Sequence, residues 1–329
     1  MKVCICGGGS LGHVCAGVMA SQSDVELNIL SGHPECWQHT ITVTDGVDKQ
    51  YIASINLISS NPKDVIVGQD IILFCLPGYL IEKTLGAIKP FVGNAVVGTV
   101  VSSTGFFFFA HEVLGKDAKL FGFQRVPFIS RVVEYGHTAN LLGYKSSLAV
   151  VLENIEDKET FRKNLEKLFI TPVTLLDSFY EVALSNSNPI LHTGRLYTLF
   201  KGRENKVFDH NILFYKEWTN EASQMLIDMD AEFFQLLDKL GVHSLPTLLD
   251  YYESTDAASL TRKISSIRAF QIITSPMKQV DGGWVVDFGS RYFTEDFPYG
   301  LRWITNLINQ KNIIAPNIIK VYDWGQSLI

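Results

Sequence analysis

The sequence predicts an α/β chain in two parts: a parallel sheet covered by helices, then an all-helical region. Three observations predict it. The chain has 329 residues, about twice the length of a typical single domain, so two domains are expected. Residues 1 to 150 alternate short β-rich runs with helical patterns, and from about Thr160 onward the apolar residues recur at helical spacing instead.

In order along the first part, Lys2 to Ile5 reads as a strand, Gly12 to Ser21 as a helix and Val25 to Leu30 as a second strand. Ile71 to Leu76 is a short continuous apolar run, as in a strand buried on both faces. Tyr79–Ile88 and Phe106–Leu114 read as helices, with strands at Ala95–Val101 and Lys119–Phe123. In the second part, helices are expected at Thr160–Phe169, Pro189–Phe200, Asn211–Leu240, Leu245–Tyr252 and Ala257–Ile273. The polar run Glu153-Asn154-Ile155-Glu156-Asp157-Lys158 marks the boundary, giving domains at 1–155 and 156–329.

Composition narrows the partners. Hydrophobic residues make up 47% and charged residues 19%, values of a folded globular chain rather than a disordered one. With 28 basic against 34 acidic residues and no basic run, nothing matches a nucleic-acid backbone. The uncharged stretch Pro90–Ala110 is interrupted by Gly93, Asn94, Gly98 and Gly105, so it is not a membrane span. The 5 cysteines (Cys4, Cys6, Cys15, Cys36, Cys75) are odd in number and clustered early, which argues against a disulfide framework and for a reducing cytoplasm, with Cys4 and Cys6 as buried structural thiols. Cys4-x-Cys6 lies inside an apolar strand and lacks two further ligands for a metal, so none is expected.

The first motif follows the first strand directly: Gly7-Gly8-Gly9-Ser10-Leu11-Gly12, a G-x-G-x-x-G turn opening a helix. In this context Gly7 permits the tight turn, Gly9 lets the backbone approach a pyrophosphate, and Gly12 lets helix and strand pack closely. The helix N-terminus, with Ser10 and Leu11, then offers N–H groups to the diphosphate. This predicts a Rossmann-type dinucleotide-binding domain. At the end of the second strand, where a carboxylate would accept the ribose hydroxyls of NAD, stands Ser31, followed by His33. Both can donate to a 2′-phosphate, so NADP is preferred slightly over NAD. Pro77, in Cys75-Leu76-Pro77-Gly78, shapes the floor where the nicotinamide half of a dinucleotide lies, or is an ordinary strand-to-helix turn.

Two polar segments stand out in the helical half. Asn188, His192 and Arg195 follow at i, i+4 and i+7 and share one helix face, so on pattern alone His192 is either a hydrogen-bonded core histidine or, with Asn188 and Arg195, a candidate for catalysis and substrate binding. Arg291-Tyr292-Phe293-Thr294-Glu295-Asp296-Phe297-Pro298-Tyr299-Gly300-Leu301 leads into an amphipathic helix, and on pattern alone Asp296 is either functional or that helix's cap.

With Gly7-x-Gly9-x-x-Gly12, Asn188-Pro189-x-x-His192 and Arg291-Tyr-x-Thr-Glu-Asp296-x-Pro-Tyr-Gly-Leu301, in this domain order, the chain resembles the octopine/nopaline (opine) dehydrogenase family. The resemblance implies a reductive condensation, driven by NADPH or NADH, of an amino acid with a 2-keto acid such as pyruvate to a secondary-amine dicarboxylate. It implies His192 as acid–base, Asp296 as its orienting partner and Arg291 as the anchor of a substrate carboxylate. The substrates are small molecules, and a homodimer is compatible with the reading. One alternative is a ketopantoate-reductase-like or 3-hydroxyacid-type reductase, which would want a catalytic lysine, with Lys201 and Lys216 the nearest candidates. Another is a non-catalytic dinucleotide sensor, whose mark would be a degraded His/Arg/Asp set.

Overall fold

A computed structural model describes residues 1–329. It divides into two compact units, Met1–Ala183 and Leu184–Ile329.

The first unit is built on two sheets. Its strands are β1 (Lys2–Cys6), β2 (Glu26–Leu30), β3 (Thr40–Asp45), β4 (Gln50–Ser54), β5 (Leu57–Ser59), β6 (Ile71–Phe74), β7 (Val96–Thr99), β8 (Leu120–Phe123), β9 (Phe128–Glu134), β10 (Thr138–Tyr144), β11 (Leu148–Glu153) and β12 (Val173–Leu176). The large sheet has the order β12-β11-β8-β7-β6-β1-β2-β5, and all pairings are parallel except β8 with β11. β1, β6, β7 and β8 are buried almost throughout, as expected of strands with helices on both faces. A second sheet, β4-β3-β10-β9, packs against helix α1 (Ser10–Ala20). Its strands alternate buried and exposed residues, Tyr51 and Ala53 facing inward against Ile52 outward on β4.

The central elements form where the sequence placed them. The large sheet is longer than expected, because β5, β11 and β12 also join it. The domain boundary moves for the same reason. β12 pairs in parallel with β11 from Leu148↔Val173 to Val151↔Leu176, so the helix Lys158–Phe169 between them is a crossover of the sheet unit. Residues 156–183, expected in the second domain, therefore belong to the first. Its core joins Phe121, Phe123, Phe161 and Phe169 edge to face, each buried ring being worth about 1.5–3 kcal/mol.

The second unit is mostly helical, with one two-stranded hairpin, Met277–Val280 and Gly283–Val286, that the sequence reading did not foresee. Its main helices are Asn188–Phe200, Asn220–Lys239, Ala257–Ser266, Arg302–Gln310 and Pro316–Gln326. The expected long helix Asn211–Leu240 forms only from Asn220, because Thr219 caps it by accepting from the Ala222 N–H. The residues before that cap make an irregular turn in which Leu213 bridges Thr274, and that turn carries a residue of the site described below. No helix is long and apolar enough to cross a membrane. Cys4 and Cys6 are buried thiols, as their place in an apolar strand predicts; Cys15 and Cys75 are buried as well, and Cys36 is exposed.

Candidate active site

The glycine turn folds as its spacing requires. Gly7 has φ +121°, and a Cβ there would stand 2.6 Å from the Cys75 carbonyl oxygen. A Cβ on Gly12 would come within 2.1 Å of the Gly7 carbonyl oxygen, so only glycine lets α1 start this close to β1. Gly9, the N-cap of α1, faces open space within 4 Å, a cradle that any side chain would begin to fill. The first-turn amides of α1 lack intrahelical acceptors. Leu11 contributes its amide there, and the Ser10 hydroxyl accepts from the Val132 N–H at 3.1 Å.

A cleft of about 590 Å³ opens above this turn, lined by Gly7, Gly8, Gly9, Ser31, His33, Pro77, Lys83 and Tyr135 among others. Gly7, Gly9, Ser31, His33 and Pro77 thus share one cleft in the first unit. Cradle, cleft and helix N-terminus together fit a dinucleotide. Ser31 does not stand there as a free donor: it is 4% exposed and its Oγ accepts from the His33 N–H and from Trp37 Nε1, both at 3.2 Å. His33 is open to solvent, with Nδ1 3.4 Å from Glu35 Oε1. Pro77 is the N-cap of the helix Gly78–Ile88.

In the second unit, Pro189 sits at the start of the helix Asn188–Phe200 and positions His192 one turn further on. His192 Nδ1 lies 2.8 Å from Asp296 Oδ2, although 104 positions separate them. His192 Nε2 lies 2.9 Å from the hydroxyl of Tyr215. A carboxylate only accepts, so Nδ1 carries the hydrogen and, in the neutral ring, Nε2 accepts from Tyr215. The Tyr292 ring tilts over the imidazole at 4.7 Å between centroids. Burial, helped by Tyr292, Tyr252 and Asp296, pushes the Tyr215 hydroxyl well above the ordinary tyrosine range, so it stays protonated.

Asp296 is held by close packing. The segment Phe297–Leu301 is a single wide turn, with the Leu301 N–H donating to the Asp296 carbonyl oxygen at 2.7 Å. A Cβ on Gly300 would stand 2.5 Å from Pro189 Cγ, and one on Gly325 2.0 Å from the Phe297 ring. Gly300 lets the wide turn lie directly on the start of the His192 helix, and Gly325 lets the helix Pro316–Gln326 close on the Phe297 ring of that turn. Asp296 makes no side-chain cap bond, so its carboxylate serves His192 rather than a helix end.

Arg195 corrects the expectation of a substrate-binding face. It is 1% exposed, its Nε and Nη2 donate to the carbonyl oxygens of Phe214 (3.2 Å) and Glu217 (2.6 Å), and its guanidinium lies over Trp218. Burial pulls its pKa down to about 10. Arg195 therefore clamps the turn that carries Tyr215 and has no donor left facing solvent in the manner of a substrate anchor. Arg291 is the opposite, with a side chain 83% exposed and Nε 3.9 Å from Glu295 Oε1. Asn188 is half-buried at the helix start, its N–H donating to Asn186 Oδ1. Lys201 and Lys216, the lysines an alternative reductase would need, are both exposed. Sequence reasoning missed Tyr215, which lies in an aromatic-rich stretch without a motif, and Tyr135.

The family model described as NAD/NADP octopine/nopaline dehydrogenase, alpha-helical domain, matches residues 175–329. The octopine dehydrogenase of Mizuhopecten yessoensis is 27% identical, over 100% of this chain and 90% of its own length. Residues 175–329 thus match the helical domain of the octopine/nopaline dehydrogenase family, and the whole chain is similar to its members. It is similar as well to the tauropine dehydrogenase of Arabella iricolor, 26% identical over 99% of this chain and 90% of that one. A solved structure of octopine dehydrogenase with NADH and pyruvate superposes with a TM-score of 0.86 at 25% identity, covering 100% of this chain and 89% of the other. The enzyme is thus an NAD(P)-dependent oxidoreductase of the opine type, and its reaction class is the reductive condensation of an amino acid with a 2-keto acid.

Proposed function

We propose that His192, Asp296 and Arg291 carry this condensation, with an NADP-preferring cofactor cleft and pyruvate or a related 2-keto acid as the acceptor. The observation that carries the reading is the side-chain series Asp296–His192–Tyr215, in which both imidazole nitrogens are engaged by groups able to support a proton transfer. The amino group of the amino acid must lose a proton as it attacks the keto carbon, and the carbinolamine oxygen must gain one as it leaves as water. His192 accepts that proton at Nε2 and returns it. Asp296 keeps the hydrogen on Nδ1 and stabilises the cation formed in between. Tyr215 holds Nε2 in its acceptor state beforehand. Arg291, with its guanidinium in solvent, pairs with the keto-acid carboxylate. A reduced dinucleotide, which Gly7, Gly9 and the N-terminus of α1 would hold, would supply the hydride for the reduction. Overall, amino acid, 2-keto acid, NAD(P)H and a proton give the secondary amine, water and NAD(P)⁺.

The preference for NADP rests on the cleft lining, which includes His33 and Lys83 and no carboxylate. The same reading places the enzyme in the cytoplasm and is compatible with a homodimer. The test is NADPH and NADH oxidation with pyruvate present, one amino acid at a time, with the secondary amine identified by mass spectrometry. Turnover should need both substrates, and brisk oxidation with pyruvate alone would favour a hydroxyacid reductase instead. Tighter binding of NADH than of NADPH would overturn the cofactor preference alone.

A further inference from the structure

The turn between β9 and β10 reaches the glycine-rich cleft in an arrangement that the glycine motif does not account for. Gly136, in that turn, has φ +75°, and a Cβ there would stand 2.0 Å from the Cys36 carbonyl oxygen. Its N–H donates to His13 Nε2 at 2.7 Å, and its carbonyl accepts from the Gln38 N–H at 3.0 Å. His13 lies 3.0 Å from the Gly9 carbonyl oxygen through Nδ1, and its ring stacks on Trp37 at 4.2 Å. Tyr135, beside Gly136, packs its ring edgewise on both His13 (5.2 Å) and Trp37 (5.8 Å). The phenol is thereby fixed with its hydroxyl against Gly8, where a Cβ would be 2.2 Å from the oxygen.

Hydrogen-bond counting then decides the direction of the Tyr135 proton. Ser31 Oγ has two lone pairs and one hydrogen. The His33 N–H and Trp37 Nε1–H, which can only donate, take both lone pairs. The Ser31 hydrogen therefore goes to the Tyr135 oxygen, 3.2 Å away. The Tyr135 hydrogen is not spent on Ser31, and the residue lines the cleft with 37% of its surface exposed.

We propose that Tyr135 is a cofactor-binding residue whose O–H donates to a phosphate or ribose oxygen in the adenosine half of the dinucleotide, with Ser31, Trp37 and His13 as its positioning residues. The proposal rests on the dinucleotide reading of the cleft. Its oxygen lies between Gly8 of the diphosphate turn and the end of β2, the two places where this fold type meets those oxygens. Where a carboxylate would accept from the ribose, this chain presents a donor.

The test is calorimetric binding of NADPH, NADH, ADP-ribose and nicotinamide mononucleotide to the wild type and to Tyr135→Phe, with melting temperatures as the folding control. Phenylalanine keeps the ring contacts and removes only the hydroxyl. Binding of NADPH, NADH and ADP-ribose should weaken about 5- to 30-fold, as for one hydrogen bond to a polar or charged acceptor. The nicotinamide mononucleotide constant should stay within error, and the free protein should still melt cooperatively, at a slightly lower temperature because the buried Ser31 hydroxyl loses its acceptor. Wild-type binding with Tyr135→Phe within twofold for ADP-ribose would overturn the proposal alone. A loss confined to the mononucleotide would do the same, whereas no dinucleotide binding by the wild type would overturn the cleft reading and the proposal with it.

Discussion

His13 in the sheet unit and His192 in the helical unit are both enclosed, and both have hydrogen-bond partners on each ring nitrogen, yet the partners differ in kind. Those of His13 are backbone atoms, the Gly9 carbonyl oxygen and the Gly136 N–H. Those of His192 are side chains, the Asp296 carboxylate and the Tyr215 hydroxyl. A backbone N–H cannot accept a proton or turn away from one, so His13 is confined to one neutral tautomer, and burial lowers its pKa accordingly. A carboxylate facing Nδ1 favours the cation when it forms, and a hydroxyl facing Nε2 can accept as well as donate. The same side chain is thus a fixed strut in one unit and a proton carrier in the other, and what decides it is the chemistry of the partners rather than burial.

The comparison predicts opposite losses. His192→Ala should lower turnover by about 10²–10⁴-fold while leaving dinucleotide affinity intact, read by steady-state kinetics beside calorimetry. Equal losses of turnover and affinity would blur the distinction. Arg195→Met should leave two buried carbonyl groups without their donor and cost about 2–4 kcal/mol of stability in a urea titration, with kcat falling because the Tyr215 turn loosens. A silent change would return Arg195 to the surface of the site.

His13→Leu should cost about 1–3 kcal/mol through the orphaned Gly136 N–H and weaken cofactor binding, with kcat at saturating cofactor little altered. Its pH signature sharpens the point. The folded-state pKa of His13 lies below the unfolded value, so between the two the unfolded chain binds the extra proton and stability rises with pH. The wild type should therefore lose stability as pH falls from about 6.5 toward the folded pKa, and His13→Leu should lack that increment. Identical pH slopes in the two proteins would contradict the neutral assignment.

Much of this was legible in the residues and some was not. The glycine turn was readable because strand, turn and helix have separate local signatures, and Gly7, Gly9 and Gly12 behave as those signatures require. The alternating strand Thr40-Ile-Thr-Val-Thr-Asp45 carried a period-2 signal as well, but its sheet was missed, since strand partners lie far apart in the chain. The stop before Asn220 was legible in Thr219, a good cap residue, yet the apolar periodicity around it masked the break. Arg195 shares the helix face of His192 as the spacing says, but spacing does not tell whether a long side chain extends outward or finds carbonyl groups inside. Tyr215 had no local signal, because its meaning arises only where the turn before Asn220 meets the His192 helix.

The central claim is that His192 and Asp296 act as one unit, and the most direct measurement is a double-mutant cycle on turnover at saturating cofactor, keto acid and amino acid. Asp296→Asn should cost a factor comparable to His192→Ala, and the double variant should be slower than the worse single variant by no more than about threefold, since groups acting together are not additive. If the losses multiplied, or if Asp296→Asn were silent as a helix cap would be, the pairing would be structural only and the account of the site would be wrong.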